Sequence, residues 1–239
     1  MSYIELRNVV KEFGDGDAKV AAVQGIDLQI KKGEFIAIMG ESGAGKSTLL
    51  SMMGGLLSPT RGNVLIGDID IFSLSKVKLA DFRREFLGFI FQSFQLVPYL
   101  SVKENAQLPL AVTHHSAAEQ ETLAMAALDR VGLKDKAHRL PNQLSGGEQE
   151  RVAIARAVVN EPPILFADEP TGNLDSKNSA QVMNLLTKLN KEGQTIVMVT
   201  HSRTNAGYAD RLIQVADGRV SETILGERPI AAAAQAAAS

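Results

Sequence analysis

Gly40-Glu41-Ser42-Gly43-Ala44-Gly45-Lys46-Ser47-Thr48 places glycines, a lysine and two hydroxyls at the spacing of a phosphate-binding P-loop. Glycines let the backbone turn its N–H groups around phosphate oxygens, and the start of a following helix adds positive potential. Lys46 can reach β- and γ-phosphates, and the Ser47 hydroxyl can ligate Mg²⁺. A merely structural Gly-rich turn is the plain alternative; the predicted strand before the loop and helix after it favour the phosphate site. The apolar run Pro163 to Ala167 then delivers Asp168 and Glu169 at its carboxyl end, where open α/β sheets bind ligands. Two adjacent carboxylates can divide the work. Asp168 can hold Mg²⁺ directly or through water, while Glu169 accepts a proton from, or orients, the water attacking a γ-phosphate. Asp-Glu as a simple helix cap is the competing reading, weakened by Pro170 and by the coexisting P-loop.

These residues need strands to hold them. Phe35 to Met39 reads as a short buried strand entering the P-loop, with a helix from Lys46 to Leu57 leaving it. Apolar runs at Pro163 to Ala167 and Thr195 to Thr200 alternate with helical stretches, the pattern of a parallel sheet covered on its faces. The helix Ser176 to Lys191 carries Val182, Leu185, Leu186 and Leu189 on one stripe, with Gly193 beyond it as a stop. Ahead of the P-loop, residues 3–10 and 20–30 read as strands joined by a Gly/Asp turn at 14–17. About 76–160 lacks strand signals and is rich in helix formers, notably Ala117 to Val131, so it is predicted as an inserted helical subdomain. The fold class is therefore α/β: a P-loop NTPase core with a mostly parallel sheet, an N-terminal antiparallel β-subdomain and the helical insertion. One domain should span 1–228, and the Ala-rich stretch 229–239 should be a frayed or disordered tail.

Composition bounds the chemistry. The 239 residues include 25 basic and 27 acidic side chains, no cysteine and no tryptophan. Thiolate catalysis, thiolate metal sites and disulfides are excluded. A net charge of −2 gives no electrostatic reason to expect nucleic acid or an acidic membrane surface as a partner. No apolar run is long enough to span a bilayer; the stretch around Leu49 to Leu57 stops short and is broken by Gly54 and Gly55, and the charged first thirteen residues do not resemble a secretory signal. A cytoplasmic protein is expected.

Leu144-Ser145-Gly146-Gly147-Glu148 fits two readings. Ser145 with Glu148 three positions on forms a capping box for a helix through Arg151, Ile154 and Ala155. Two glycines in a first helical turn cost up to about 1 kcal/mol each, which the cap leaves unexplained and close approach of a phosphate would explain. With the P-loop and Asp168-Glu169, this segment resembles the nucleotide-binding subunit of ABC transporters over about residues 3–225. Gln92 in Phe91-Gln92-Ser93, Asn173-Leu174-Asp175 and His201 appear in the family's order as Q-loop, D-loop and switch histidine.

The resemblance implies an ATPase using ATP and Mg²⁺, and a head-to-tail homodimer in which each ATP lies between the P-loop of one subunit and the signature of the other. Ser145 and Gly147, with Gly146 and Glu148 beside them, would meet the γ-phosphate in trans, and Asp175 would lie against the same nucleotide. Gln92 would ligate Mg²⁺ and link the core to the helical subdomain. His201, otherwise an ordinary surface or core histidine, would contact the γ-phosphate and help hold the attacking water. Phe13 holds the place of the adenine-stacking aromatic, with a strand-end core phenylalanine as the alternative; Tyr3 is the weaker candidate. Phe94, Leu96, Val97 and Tyr99 would line, in part, the groove that receives an integral-membrane permease. Glu148 stands where glutamine is commonest, Glu150 adds an acid, and Ser202 stands where aspartate is frequent. Lys46, Asp168, Glu169 and His201 are all present, so an active site is expected.

A single P-loop and single signature, without long coiled coils or zinc cysteines, favour a transport subunit over the family's chromosome-maintenance, repair and translation-factor branches. Glu169 to Asp175 and Phe91 to Pro98 look like the lipoprotein-releasing and macrolide-efflux group, with cell-division ATPases as the alternative. That resemblance implies a peripheral subunit on the cytoplasmic face of the cell membrane, a separate permease, room for a periplasmic or extracellular adaptor, and no nucleic acid.

Overall fold

The computed structural model describes residues 2–16 and 19–225, and the tail expected at 229–239 lies outside them. Two compact units result. One takes residues up to 80 together with those from 195 on, and the other is Asp81–Gln194.

The first unit opens with β1 (Ser2–Phe13), β2 (Val20–Lys31) and β3 (Phe35–Met39), then α1 (Lys46–Met53), β4 (Arg61–Ile66) and β5 (Ile69–Asp70). Strands β2-β1-β4-β5 make an antiparallel sheet in that order, confirming the N-terminal β-subdomain and adding two strands to those the sequence suggests. In β2 Ile26, Leu28 and Ile30 are buried while Asp27 and Gln29 face water, the alternation of a sheet with one wet side. Helix α1 ends at Met53, earlier than the expected Leu57: the Gly54 and Gly55 amides turn back to the Leu50 and Met52 carbonyls, and Gly55 takes φ 65°.

The second unit begins inside α2 (Lys76–Phe86) and contains β6 (Leu87–Ile90), α3 (Val102–Gln107), α4 (Ala117–Arg130), α5 (Gly146–Val158), β7 (Ile164–Asp168) and α6 (Ser176–Lys191). Strand β6 interrupts the stretch predicted to be free of strands and pairs parallel with β7. It is only four residues long and includes Gly88, which hides its period. That glycine is required sterically, because a Cβ there would lie 2.4 Å from the Ala157 carbonyl oxygen. Helices α3 and α4 start on full capping boxes, Ser101 with Glu104 and Ser116 with Glu119. On α6, Val182, Leu186 and Leu189 are buried as expected; Leu185 is half-buried and Met183 takes its place in the core.

The chain returns to the first unit with β8 (Thr195–Val199), α7 (Arg203–Ala206), β9 (Arg211–Ala216) and β10 (Arg219–Leu225). β3 pairs parallel with both β8 and β9, and β10 closes antiparallel on β9. Every residue of β3 and β8 is buried, so both read as continuous apolar runs without alternation.

Candidate active site

In the first unit, Ile38 of β3 lies opposite Val199 of β8. Gly40 and His201 therefore follow at the same level, just past the carboxyl ends of neighbouring parallel strands. Between β3 and α1 the loop uses left-handed glycines, Gly43 at φ 81° and Gly45 at φ 96°, and Gly45 is the N-cap of α1, whose first turn carries no acid. Lys46 turns its ammonium back over the loop and donates to the Gly40 and Glu41 carbonyls at 2.9 and 2.8 Å. Two of the glycines have a second reason that spacing alone does not disclose. A Cβ on Gly40 would lie 2.1 Å from the Val215 carbonyl oxygen, and one on Gly45 would lie 2.1 Å from that of Ala22. The turn at Gly218 ties this packing together: its N–H donates to the Ala44 carbonyl at 3.1 Å and its own carbonyl accepts from the Gln24 N–H at 2.8 Å. A rigid loop with a lysine folded over it and a helix start free of acids fits a polyphosphate. Glu41, Ser42 and Ser47 are exposed, Thr48 is half-buried and Ala44 is buried.

Phe13 closes β1 and is 45% exposed, with the Lys11 ammonium 5.2 Å from its ring centroid. It is not a core phenylalanine. Tyr3 is half-buried, with Lys32 above its ring. His201 is exposed, follows the buried Thr200 and precedes Ser202, the N-cap of α7.

In the second unit, Ile90 of β6 lies opposite Ala167 of β7. Gln92 and Glu169 thus occupy the same relative position here as Gly40 and His201 do in the first. Asp168 ends β7, and Glu169 adopts φ 49°, a left-handed conformation that costs a non-glycine residue on the order of 1 kcal/mol. The turn is closed by the Gly172 N–H donating to the Glu169 carbonyl at 2.9 Å. Gln92 packs against it: a Cβ on Gly172 would lie 3.1 Å from Gln92 Nε2, and Asn173 Nδ2 donates to the Gln92 carbonyl at 2.9 Å. Asp175 caps α6, accepting from the Asn178 N–H at 2.8 Å and Nδ2 at 2.7 Å, and these bonds lower its pKa.

The Ser145 to Glu148 segment combines both sequence readings. Ser145 is the N-cap of α5, and its N–H and Oγ donate to Glu148 at 2.8 and 3.0 Å. Lys136 also donates to Glu148, and with the Ser145 backbone it holds that carboxyl down at about 2. Gly147 has a packing reason that needs no phosphate, since a Cβ there would lie 2.3 Å from Asn178 Oδ1. Gly146 meets only ordinary contacts, from Leu174 at 3.5 Å and Phe94 at 3.9 Å. It stays half-buried.

Several supporting residues carry no signal in the sequence. Arg156 donates to the Phe94 and Gln95 carbonyls at 2.7 and 2.5 Å, holding two consecutive left-handed residues shortly after Gln92. Buried Asn105 accepts from the Val97 N–H and donates to the Val97, Leu100 and Ser101 carbonyls, fixing the rest of that loop. Glu150, in sequence no more than an extra acid, is fully buried with no hydrogen bond to either oxygen, and burial pushes its pKa up to about 8 against the opposing pull of Arg156.

Residues 23–172 match the ABC transporter family model, and the chain belongs to that family. It is 47% identical over 221 residues to an uncharacterized ABC transporter ATP-binding protein of Methanocaldococcus jannaschii, covering 92% of this chain and 99% of that protein. It is 43% identical over 228 residues to the macrolide export ATP-binding/permease protein MacB of Marinobacter nauticus, covering 95% of this chain but only 35% of that protein. Among solved structures, a dimeric post-hydrolysis state of an ATP-binding cassette bound to ADP and Pi is 43% identical, covers 93% of this chain and 98% of that one, and superposes with a TM-score of 0.86. The chain is accordingly an ATP-binding cassette with P-loop NTPase architecture, an ATPase working with ATP and Mg²⁺. Among the described residues no helix is long and apolar enough to cross a membrane.

Proposed function

We propose that this cassette powers export through a membrane permease carried on a separate chain, closing head to tail with a second copy around two ATP molecules. The observation that carries the reading is the placement of Gly40, His201, Gln92 and Glu169 just past the carboxyl ends of parallel strands, with Lys46 turned over the P-loop. Phe13 stacks on the adenine, and residues 40–48 with Lys46 hold the phosphates. Ser47, Gln92 and Asp168 would hold Mg²⁺, which would supply charge neutralisation to the phosphates. Glu169 takes the proton of the attacking water, and His201 and Gln92 orient that water. The signature, Ser145 to Glu148, and Asp175 come from the opposite copy.

Export is supported by similarity to MacB and to the pyoverdine export ATP-binding/permease protein PvdT of Pseudomonas fluorescens, of whose lengths this chain spans about a third. Both are named for an ATP-binding and a permease part, and a permease is accordingly the partner that supplies the membrane path and holds the cassette at the cytoplasmic membrane face. The receiving surface is the stretch after Gln92, where Tyr99 is 79% exposed, with Leu108 and Val112 also open to solvent.

Affinity purification from detergent-solubilised membranes should recover a permease, and the reconstituted pair should hydrolyse ATP. Removing the base by Glu169→Gln should lower turnover by about a hundredfold or more while ATP still binds. An unchanged rate would remove Glu169 from the base role. Recovery of septal division proteins alone would replace export with a cell-division role.

A further inference from the structure

A glutamate in the signature is a liability for the proposed function, because an ATP γ-phosphate approaching Ser145 would meet a carboxylate. Ser145 Oγ lies only 3.0 Å from Glu148 and donates its single proton to it. The same proton cannot also be given to a phosphate oxygen. Two anions held this close in a partly buried place repel strongly unless one is neutralised. Lys136 provides the neutralising charge: its ammonium donates to Glu148, and their side chains are only 25% and 17% exposed. It comes from outside α5, from the turn Lys134–Lys136, so it is no part of the helix cap.

We propose that Lys136 is a positioning residue for trans ATP: it keeps Glu148 charge-paired, so that the Ser145 hydroxyl can leave that carboxylate and join the α5 amides in meeting an anionic phosphate. The inference rests on the signature reading under the proposed function. When ATP arrives, the Ser145 hydroxyl turns from Glu148 to the phosphate, and Glu148 keeps Lys136 and the Ser145 N–H as its donors. No covalent bond changes.

The test measures the ATP concentration that half-saturates dimer formation by the full chain, using Glu169→Gln to block turnover and analytical ultracentrifugation as the readout. Lys136→Ala and Lys136→Met should each raise that concentration by about tenfold or more, the equivalent of roughly 1.4 kcal/mol. Lys136→Arg should restore it. In a Glu148→Gln background, Lys136→Ala should shift it by less than about twofold, because no bare carboxylate remains. Thermal melts in the absence of nucleotide follow folding separately. A lysine with a merely structural role would lower the melting temperature and leave the ATP requirement of the folded fraction unmoved. That result, or a rise in the ATP requirement of the same size whether position 148 carries the native acid or the Glu148→Gln substitution, overturns the inference while leaving the signature reading intact. Failure of the Glu169→Gln chain itself to dimerise with ATP overturns both.

Discussion

Glu150 shows how much a single side chain can cost. It is fully buried on α5, and its pKa rises from 4.5 to about 8 because desolvation outweighs the attraction of Arg156. Between those values the folded chain keeps a proton that the unfolded chain releases, so stability falls as pH rises through the window. At about 1.36 kcal/mol per pH unit, the loss at neutral pH is roughly 3 kcal/mol. Glu150→Gln keeps the shape and removes the titration. Urea denaturation should show the variant's advantage over wild type growing from pH 5 to pH 8 and levelling off above it; a constant gap would mean that the carboxyl is ionised and paired when folded. The sequence makes the acid visible but not its burial, which depends on how α5 packs against its neighbours. By contrast Lys46, Asp168 and Glu169 are legible because each sits beside an apolar run that ends in a loop.

At the scale of elements, the loop after β6 is the piece that must be held. Phe94 and Gln95 take φ 57° and 50°, and the Arg156 guanidinium bonds both carbonyls, while Asn173 bonds that of Gln92. A planar fork can serve two acceptors at once; an ammonium on a flexible stem holds them less well. Arg156→Lys should therefore increase amide hydrogen exchange across residues 92–99 and lower kcat several-fold, with the Kd for ATP nearly unchanged because the P-loop is untouched. A loss in ATP affinity as large as that in kcat would assign Arg156 a general folding role. The strands that deliver the site are legible wherever they run apolar over most of five residues, as β3, β7 and β8 do. β6 is not, being four residues with a glycine, and neither is its clamp, because an arginine late in a helix looks like an ordinary surface cation.

At the scale of the whole molecule, the predicted residues fall into two sets that lie in different compact units. Phe13, the P-loop and His201 belong to one; Gln92, the signature, Asp168, Glu169 and Asp175 belong to the other. Chain order makes the family legible from sequence, whereas which copy completes which site is a matter of assembly that no spacing encodes. The proposed head-to-tail arrangement makes a specific demand. Lys46→Ala damages the P-loop and Ser145→Ala damages the signature, so a homodimer of either variant has two defective sites. Mixing them creates a heterodimer in which the intact P-loop of the Ser145→Ala chain faces the intact signature of the Lys46→Ala chain. With random pairing about half the dimers are mixed and one site in each is whole, so ATP-dependent association and up to about a quarter of wild-type turnover should return. Sites completed within one chain would stay broken in every pairing. A mixture with no more ATP-dependent association than its two parents would therefore rule out the trans signature and leave Ser145 as nothing beyond the cap of α5.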